Sequence, residues 1–217
     1  MLPRWLIKLG FRLFYNQLAF TYDSVAWLVS FGQWANWRRL TLDFLQPGPT
    51  LELAFGTGGL FADMLEAGHR PAGIDLSPYM ARIAGGKLRR KNLPLRLSRA
   101  QAQHLPFPAG YFFNVVATFP TNYIFEDATL AEICRVLADN GRLIVVAEGH
   151  LRGPAPLRRL IDWLYQITNQ RGFHTTRPLS AFAEHRLVGR WQHVERRSVA
   201  ARMLLARKQP ALRLFPE

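Results

Sequence analysis

One cysteine, Cys134, stands among 217 residues. A lone thiol excludes a disulfide framework and a thiolate-cluster zinc site, no other metal site is expected, and the composition suits a reducing, cytoplasmic compartment. No apolar run approaches the ~20 residues that a membrane-crossing helix needs. The apolar stretch near the N-terminus is broken by Lys8, Arg12 and Asp23, so no secretory leader is expected there. Acid is scarce: 15 Asp and Glu face 28 Lys and Arg, a net charge of +13. The chain has no internal repeat and no low-complexity tract. Its one glycine-rich turn lacks the third glycine of a dinucleotide-binding loop.

The charge is uneven. Residues 151–217 carry 13 Lys and Arg against four Asp and Glu. Such a field favours anionic partners, whether a phospholipid surface, nucleic acid or an acidic metabolite; a solvated arginine-rich surface accounts for it equally well. Residues 3–18 have the pattern of an amphipathic helix, with Arg4, Lys8 and Arg12 on one face and Trp5, Leu6, Leu9 and Leu13 on the other. Two readings stand: a lid packed on its own domain, or an element lying on a membrane surface.

What is present is a packed globule. Hydrophobic residues make up 49% of the chain, with six Trp. The length predicts one domain over 1–217, a helical lid over 1–46 and a core over 47–217. Helices are expected at about 21–31 and 33–45, then a break at Pro47-Gly48-Pro49. Strands follow at about 50–54, 71–75, 95–99, 113–118 and 142–148, with helices at about 58–67, 77–91 and 127–138 between them. A further apolar helical face occupies about 154–169, and two β segments fall at about 191–198 and 200–207. Alternating βα units imply an α/β fold with a parallel sheet covered by helices on both faces. Ser77 and Pro78 read as the cap and first turn of a helix whose far end, Arg89-Arg90-Lys91, suits the negative pole of its dipole. Cys134 shares a helical face with Leu130, Ile133 and Leu137 and reads as a core residue.

The most informative stretch is Leu51-Glu52-Leu53-Ala54-Phe55-Gly56-Thr57-Gly58-Gly59. A short apolar strand enters a glycine turn, and Asp75 ends the next strand 19 residues after Gly56 (75 − 56). Gly56 and Gly58 allow a sharp turn and close approach of a ligand. Asp75 can accept hydrogen bonds from two vicinal ribose hydroxyls. Glu52, just ahead of the turn, would repel a pyrophosphate. It suits a ligand with an amine and a positive centre, and S-adenosylmethionine has both, with a ribose and no phosphate.

These residues resemble a family. Thr50 to Gly58 is similar to the first motif of the class I S-adenosylmethionine-dependent methyltransferases, and Asp75-Leu76-Ser77-Pro78-Tyr79-Met80 to the second. Gln101-Ala102-Gln103-His104-Leu105-Pro106-Phe107-Pro108 resembles D-A-x-x-L-P-F-P. Glu132-Ile133-Cys134-Arg135-Val136-Leu137 with Asn140-Gly141-Arg142-Leu143 resembles E-x-x-R-V-L-x-x-G-G-x-L. The four motifs span roughly residues 50–148 in the family's order. Ala54, Gln101 and Asn114 depart from the usual glycine, aspartate and aspartate. Residues 20–32 with Trp37-Arg38-Arg39 resemble the entry region of the quinone-biosynthesis C-methyltransferases.

The resemblance implies a Rossmann-like open sheet of seven strands with N-terminal lid helices, and S-adenosylmethionine as cofactor. Along one rim it would place Glu52 toward the cofactor's amine, Ala54, Gly56 and Gly58 along the methionine end, Asp75 on the ribose, Leu76 against adenine, and Gln101 and Ala102 at the adenine edge. Thr118 would border the same rim. Tyr22 would sit near the methionine end or the acceptor, with plain helix packing as the other reading. Glu52 could instead be a structural hydrogen-bond hub. Transfer from a sulfonium mainly requires alignment, so no catalytic residue is assigned. The loop Thr118 to Tyr123 should border the methyl group. His150 reads as a base or as a surface cap, and His174 has a weaker claim to the same role. The expected acceptor is small and apolar or membrane-associated, such as a quinone precursor. The alternatives are an RNA methyltransferase and a cofactor-binding protein without turnover.

Overall fold

The computed structural model describes residues 26–27, 30–150, 179–196 and 199–210. Trp34–Arg39 forms helix α1 and passes directly into a 3-10 turn, Leu40–Phe44, where the sequence predicts one helix over 33–45. The tightening has a local cause. Thr41 Oγ1 donates to the Arg38 carbonyl at 2.7 Å, an i−3 bond that competes with the α-helical ladder.

Past the Pro-Gly-Pro break come β1 (Thr50–Leu53), α2 (Gly59–Glu66), β2 (Pro71–Asp75), α3 (Pro78–Arg90), β3 (Leu97–Arg99) and β4 (Phe112–Thr118). A 3-10 turn, Asn122–Phe125, leads to α4 (Asp127–Val136), β5 (Leu137–His150), α5 (Ser180–Glu184), β6 (Leu187–Arg196) and β7 (Val199–Lys208). The seven strands form one sheet in the order β3-β2-β1-β4-β5-β7-β6. The first five are parallel, and β7 runs antiparallel between β5 and β6. Strand order reverses beside β1, whose neighbours are β2 and β4. That is the switch point at which open α/β sheets leave a crevice for ligands.

Period-two alternation divides the core between the two faces of the sheet. Leu51, Leu53, Val115, Ala117, Leu143, Val145 and Leu204 pack with Leu130, Ile133 and Val136 of α4. Val116, Ile144, Val146 and Met203 pack on the other face with Trp37 of α1 and Leu60 and Met64 of α2. Cys134 packs at the margin of the first cluster, as its helical face implied. Ser77 caps α3, accepting from the Met80 N–H at 3.3 Å with Pro78 in the first turn.

Three boundaries differ from the sequence reading. β5 starts at Leu137 and runs to His150, longer than the expected 142–148, because its pairing with β4 resumes across a bulge between Phe112 and Asn114. The five-residue α5 is too short to show a helical period. β6 begins at Leu187, just after Arg186 turns with φ 57°. The expected helices at 3–18 and 154–169, and most of 21–31, lie outside the described residues.

Asn114 replaces the aspartate common in related sequences, and its fully buried amide uses both ends. It donates to the Gln46 carbonyl at 2.8 Å and to Thr50 Oγ1 at 3.0 Å, and it accepts from the Gln46 N–H at 3.0 Å. A carboxylate could not donate these bonds.

The helix α1 is fixed at two points. Asp63 of α2, itself buried, accepts from Arg38 at 2.8 Å and from Arg39 at 2.9 Å. Trp37, 1% exposed, lies flat against Gly149 of β5, where any Cβ would run into the indole. Gly149→Ala should therefore displace Trp37 and lower unfolding stability by about 1–3 kcal/mol. Denaturant unfolding checks this; an unchanged midpoint would show that the contact is not close.

Candidate functional site

The strand register builds a rim. Leu53 lies beside Ile74 and Ala117, so the next residues, Ala54, Asp75 and Thr118, stand level at the carboxyl ends of three adjacent strands. Asp75 also pairs with Arg99, the last residue of β3, two positions before Gln101. The structure thus brings together Ala54, Gly56, Gly58, Asp75, Leu76, Gln101, Ala102 and Thr118, with Glu52 one layer below. Tyr22 lies outside the described residues.

The turn after β1 alternates into left-handed backbone at every second residue. Ala54, Gly56 and Gly58 have φ of 53°, 54° and 72°. An Ala in this region costs ~1–2 kcal/mol, so the position that related sequences give to glycine is strained here. A Cβ on Gly58 would meet the Ala84 Cβ at 2.8 Å, which lets α2 start close against α3. A Cβ on Gly56 would meet nothing within 4 Å. Gly56 faces open space, as a cradle for a ligand must.

Asp75 closes this turn from the neighbouring strand. Its Oδ2 accepts from the Gly56 N–H and its Oδ1 from the Ser77 N–H, both at 2.8 Å. An ionised carboxylate has about four acceptor positions, so capacity remains for hydroxyls. Burial raises the pKa of Asp75 above the usual aspartate value, opposed by the N–H groups of Ser77, Gly56 and Leu76. Next to it Leu76 is 57% exposed, an apolar side chain displayed at the rim with little of its own chain around it.

The loop after β3 is held by a clamp whose role the sequence motif did not disclose. Glu132 accepts from the Leu105 N–H at 2.6 Å. Arg135 donates to the Leu105 carbonyl at 2.9 Å and the Phe107 carbonyl at 2.8 Å, and pairs with Glu132 at 2.6 Å. The arginine keeps Glu132 below the usual glutamate pKa. The signal was the E-x-x-R spacing, which puts both side chains on one face of α4. Ala102 is buried by this loop and Gln101 stays exposed.

Glu52 points to the α1–α2 face, since Leu51 and Leu53 take the other. It is 2% exposed, and its Oε2 has no hydrogen-bond partner among the described residues. Burial raises its pKa well above the usual value; Arg38 opposes this, and Asp75 and Asp63 add to it. The Arg38 guanidinium also covers the start of α2, 2.8 Å from where a Gly59 Cβ would stand. It brings a cation to the glycine turn from the N-terminal segment.

The loop after β4 and His150 have contacts of their own. Phe119, in the loop expected to border the methyl group, turns with φ 49° and stacks on Trp34 at 4.1 Å, with Trp37 edge-on at 6.2 Å. The loop therefore starts by joining the α1 aromatic cluster. His150 is the last residue of β5 and not a loop residue, its ring 4.9 Å from that of His193. Burial, then His193, holds its pKa below the usual value. His174 lies outside the described residues.

A buried carboxyl whose pKa is raised must respond to a cation placed beside it. Without ligand, Glu52 is most stabilising in its protonated form; its contribution is full below the unfolded pKa and is lost as pH rises through the folded one. A cationic ligand lowers that pKa, so binding should release a proton and tighten as pH rises across this window. Calorimetric titration of S-adenosylmethionine in two buffers of different ionisation enthalpy measures the release. Equal heats in both buffers would contradict it, and Glu52→Gln should abolish any difference.

Known proteins agree with this geometry. Residues 50–141 match the model of a methyltransferase domain family. The chain is 36% identical over 163 residues to demethylmenaquinone methyltransferase of Thermus thermophilus, covering 72% of each chain. It is 33% identical over 141 residues to the ubiquinone/menaquinone biosynthesis C-methyltransferase of Edwardsiella ictaluri, covering 61% of this chain and 56% of that protein. Among solved structures, a putative S-adenosylmethionine-dependent methyltransferase of Methanococcus maripaludis superposes with a TM-score of 0.66 at 14% identity, covering 93% of this chain and 96% of that one. Geranyl diphosphate C-methyltransferase of Streptomyces coelicolor, solved with S-adenosylhomocysteine, gives 0.59 at 17% identity, covering 80% and 78%. Those two likenesses speak to the fold alone. The chain belongs to the class I S-adenosylmethionine-dependent methyltransferases, near the quinone-biosynthesis group.

Proposed function

We propose that this chain transfers a methyl group from S-adenosylmethionine to a ring carbon of a quinone precursor. The observation that carries the cofactor half is the junction of an open glycine turn with Asp75, above a buried Glu52 whose Oε2 has no hydrogen-bond partner among the described residues. The acceptor half is supported by the names of the curated relatives, of which the chain spans 72% in the Thermus protein and 56% in the Edwardsiella protein.

The cofactor supplies a methyl group already activated on a sulfonium. The protein's work is to hold and align. Asp75 accepts from the ribose hydroxyls with the positions its backbone bonds leave unused. Leu76 and Ala102 lie against the adenine faces and Gln101 at its edge. Backbone N–H groups from Ala54 to Gly58 receive the methionine end, with Arg38 supplying positive charge for its carboxylate and Glu52 negative charge toward its amine. Trp34 and Phe119, half-buried and backed by the buried Trp37, form an apolar wall beside β4 that excludes water and suits a flat, greasy acceptor. Thr118 stands at the rim between this wall and the turn.

The test is methyl transfer from isotope-labelled cofactor, by the purified chain, into demethylated and reduced quinone precursors, read by mass spectrometry. Label on a ring carbon is expected. Label in RNA instead, or cofactor binding without label in any quinone precursor, would overturn the assignment.

A further inference from the structure

Between Asp75 and Glu126 the chain contains no Asp or Glu and seven Lys and Arg: Arg82, Lys87, Arg89, Arg90, Lys91, Arg96 and Arg99. All seven fall on α3, the turn after it, and the edge strand β3. The fold thus gathers them on one flank of the sheet. Lys91 pairs with Glu66 at 2.6 Å. Arg82, Arg89, Arg90, Arg96 and Arg99 are exposed and have no carboxylate partner among the described residues. Their contacts are of other kinds: Arg82 lies over the Tyr79 ring at 5.5 Å, and Arg99 donates to the Leu76 carbonyl at 3.1 Å.

Three sizeable apolar side chains stand exposed in the same region: Leu76 at 57%, Tyr79 at 39% and Leu95 at 49%. Tyr79 and Arg82 begin an exposed line on α3 that continues through Gly86 to Arg90, one helical turn apart at each step. Stability of the fold does not call for this pattern. Helix-dipole complementation accounts for the cations of the last turn, Lys87, Arg89 and Arg90. It does not account for Arg82, two turns from the helix C-terminus, or for Arg96 and Arg99, before and at the end of β3.

We infer that the α3–β3 flank is a docking face for an anionic phospholipid bilayer. Cations near such a surface gain about 1 kcal/mol each, and Tyr79 and Leu95 among them enter the headgroup boundary while Leu76 stays with the cofactor rim. Single-stranded nucleic acid would want a series of stacking rings along a groove. This flank offers one aromatic, already covered by Arg82. Leu76 and Tyr79 follow Asp75 directly, so docking here lays the adenine-side edge of the rim along the bilayer, where a lipid-tailed acceptor resides. The inference rests on the proposed acceptor for its purpose alone. Binding to vesicles is read without turnover, so the two can fail separately.

The experiment uses the full chain and co-sedimentation with phosphatidylcholine vesicles, with and without about a third phosphatidylglycerol, at about 0.1 M salt. Binding is expected only with the anionic lipid and should weaken as salt rises. The variant R82E/R89E/R90E/R96E should lose about a hundredfold or more in partitioning. Its affinity for S-adenosylhomocysteine should stay unchanged, which reports that it is folded. The four Arg→Lys replacements should retain binding. The inference is overturned if the folded Glu variant partitions like the parent chain, or if single-stranded RNA displaces the chain from vesicles by occupying these arginines.

Discussion

The bond from the Gly56 N–H to Asp75 Oδ2 carries the pairing of β1 with β2 past the Phe55 N–H and Ile74 carbonyl and into the glycine turn. On one side is a strained turn in which Ala54, Gly56 and Gly58 have left-handed backbone. On the other is the end of the adjacent parallel strand. Without an acceptor from β2, the amide of Gly56 would face the rim unpaired, and the left-handed path through the turn would lose its tie to the neighbouring strand. With it, the turn stays open, the start of α2 is held in place, and the carboxylate is aimed with acceptor capacity to spare. The site is therefore preformed by the sheet itself.

A second layer of constraint comes from the N-terminal side. Asp63 receives both Arg38 and Arg39, and Gly149 admits the Trp37 ring. These contacts bring α1 across the face that holds Glu52. A cation and an aromatic wall thus reach the rim from outside the strand–turn–helix unit. Glu52 would be costly if ionised and alone there; burial pushes its pKa up and the Arg38 guanidinium opposes that shift.

Much of this was legible in the sequence because it is local. Strand, glycine turn and terminal carboxylate are written in consecutive residues, and alternation assigns Leu51 and Leu53 to one face. Ser77 and Pro78 announce α3 in the same way. What was not legible depends on partners far along the chain. The 3-10 turn after α1 arises from one hydroxyl of Thr41. The Glu132–Arg135 clamp shows as a spacing, but its target, the Leu105 and Phe107 backbone, is set by the fold. The place of the loop after β4 follows from the strand order, but the stacking of Phe119 on Trp34 is set by contacts across the fold. His150 looked like a loop residue because the pairing of β5 with β7, which carries it to that position, joins segments about fifty residues apart in sequence.

The central claim is that Asp75 serves the turn and a ribose at once. A thermodynamic cycle separates the two. S-adenosylhomocysteine and its analogue lacking the ribose 2′- and 3′-hydroxyls are titrated by calorimetry into the parent chain and into Asp75→Ala, with cooperative unfolding confirming that both are folded. The account predicts that removing the hydroxyls costs the parent chain tenfold or more in affinity and costs the variant almost nothing. Equal losses in the two proteins would show that the carboxylate does not touch the sugar and would contradict the account.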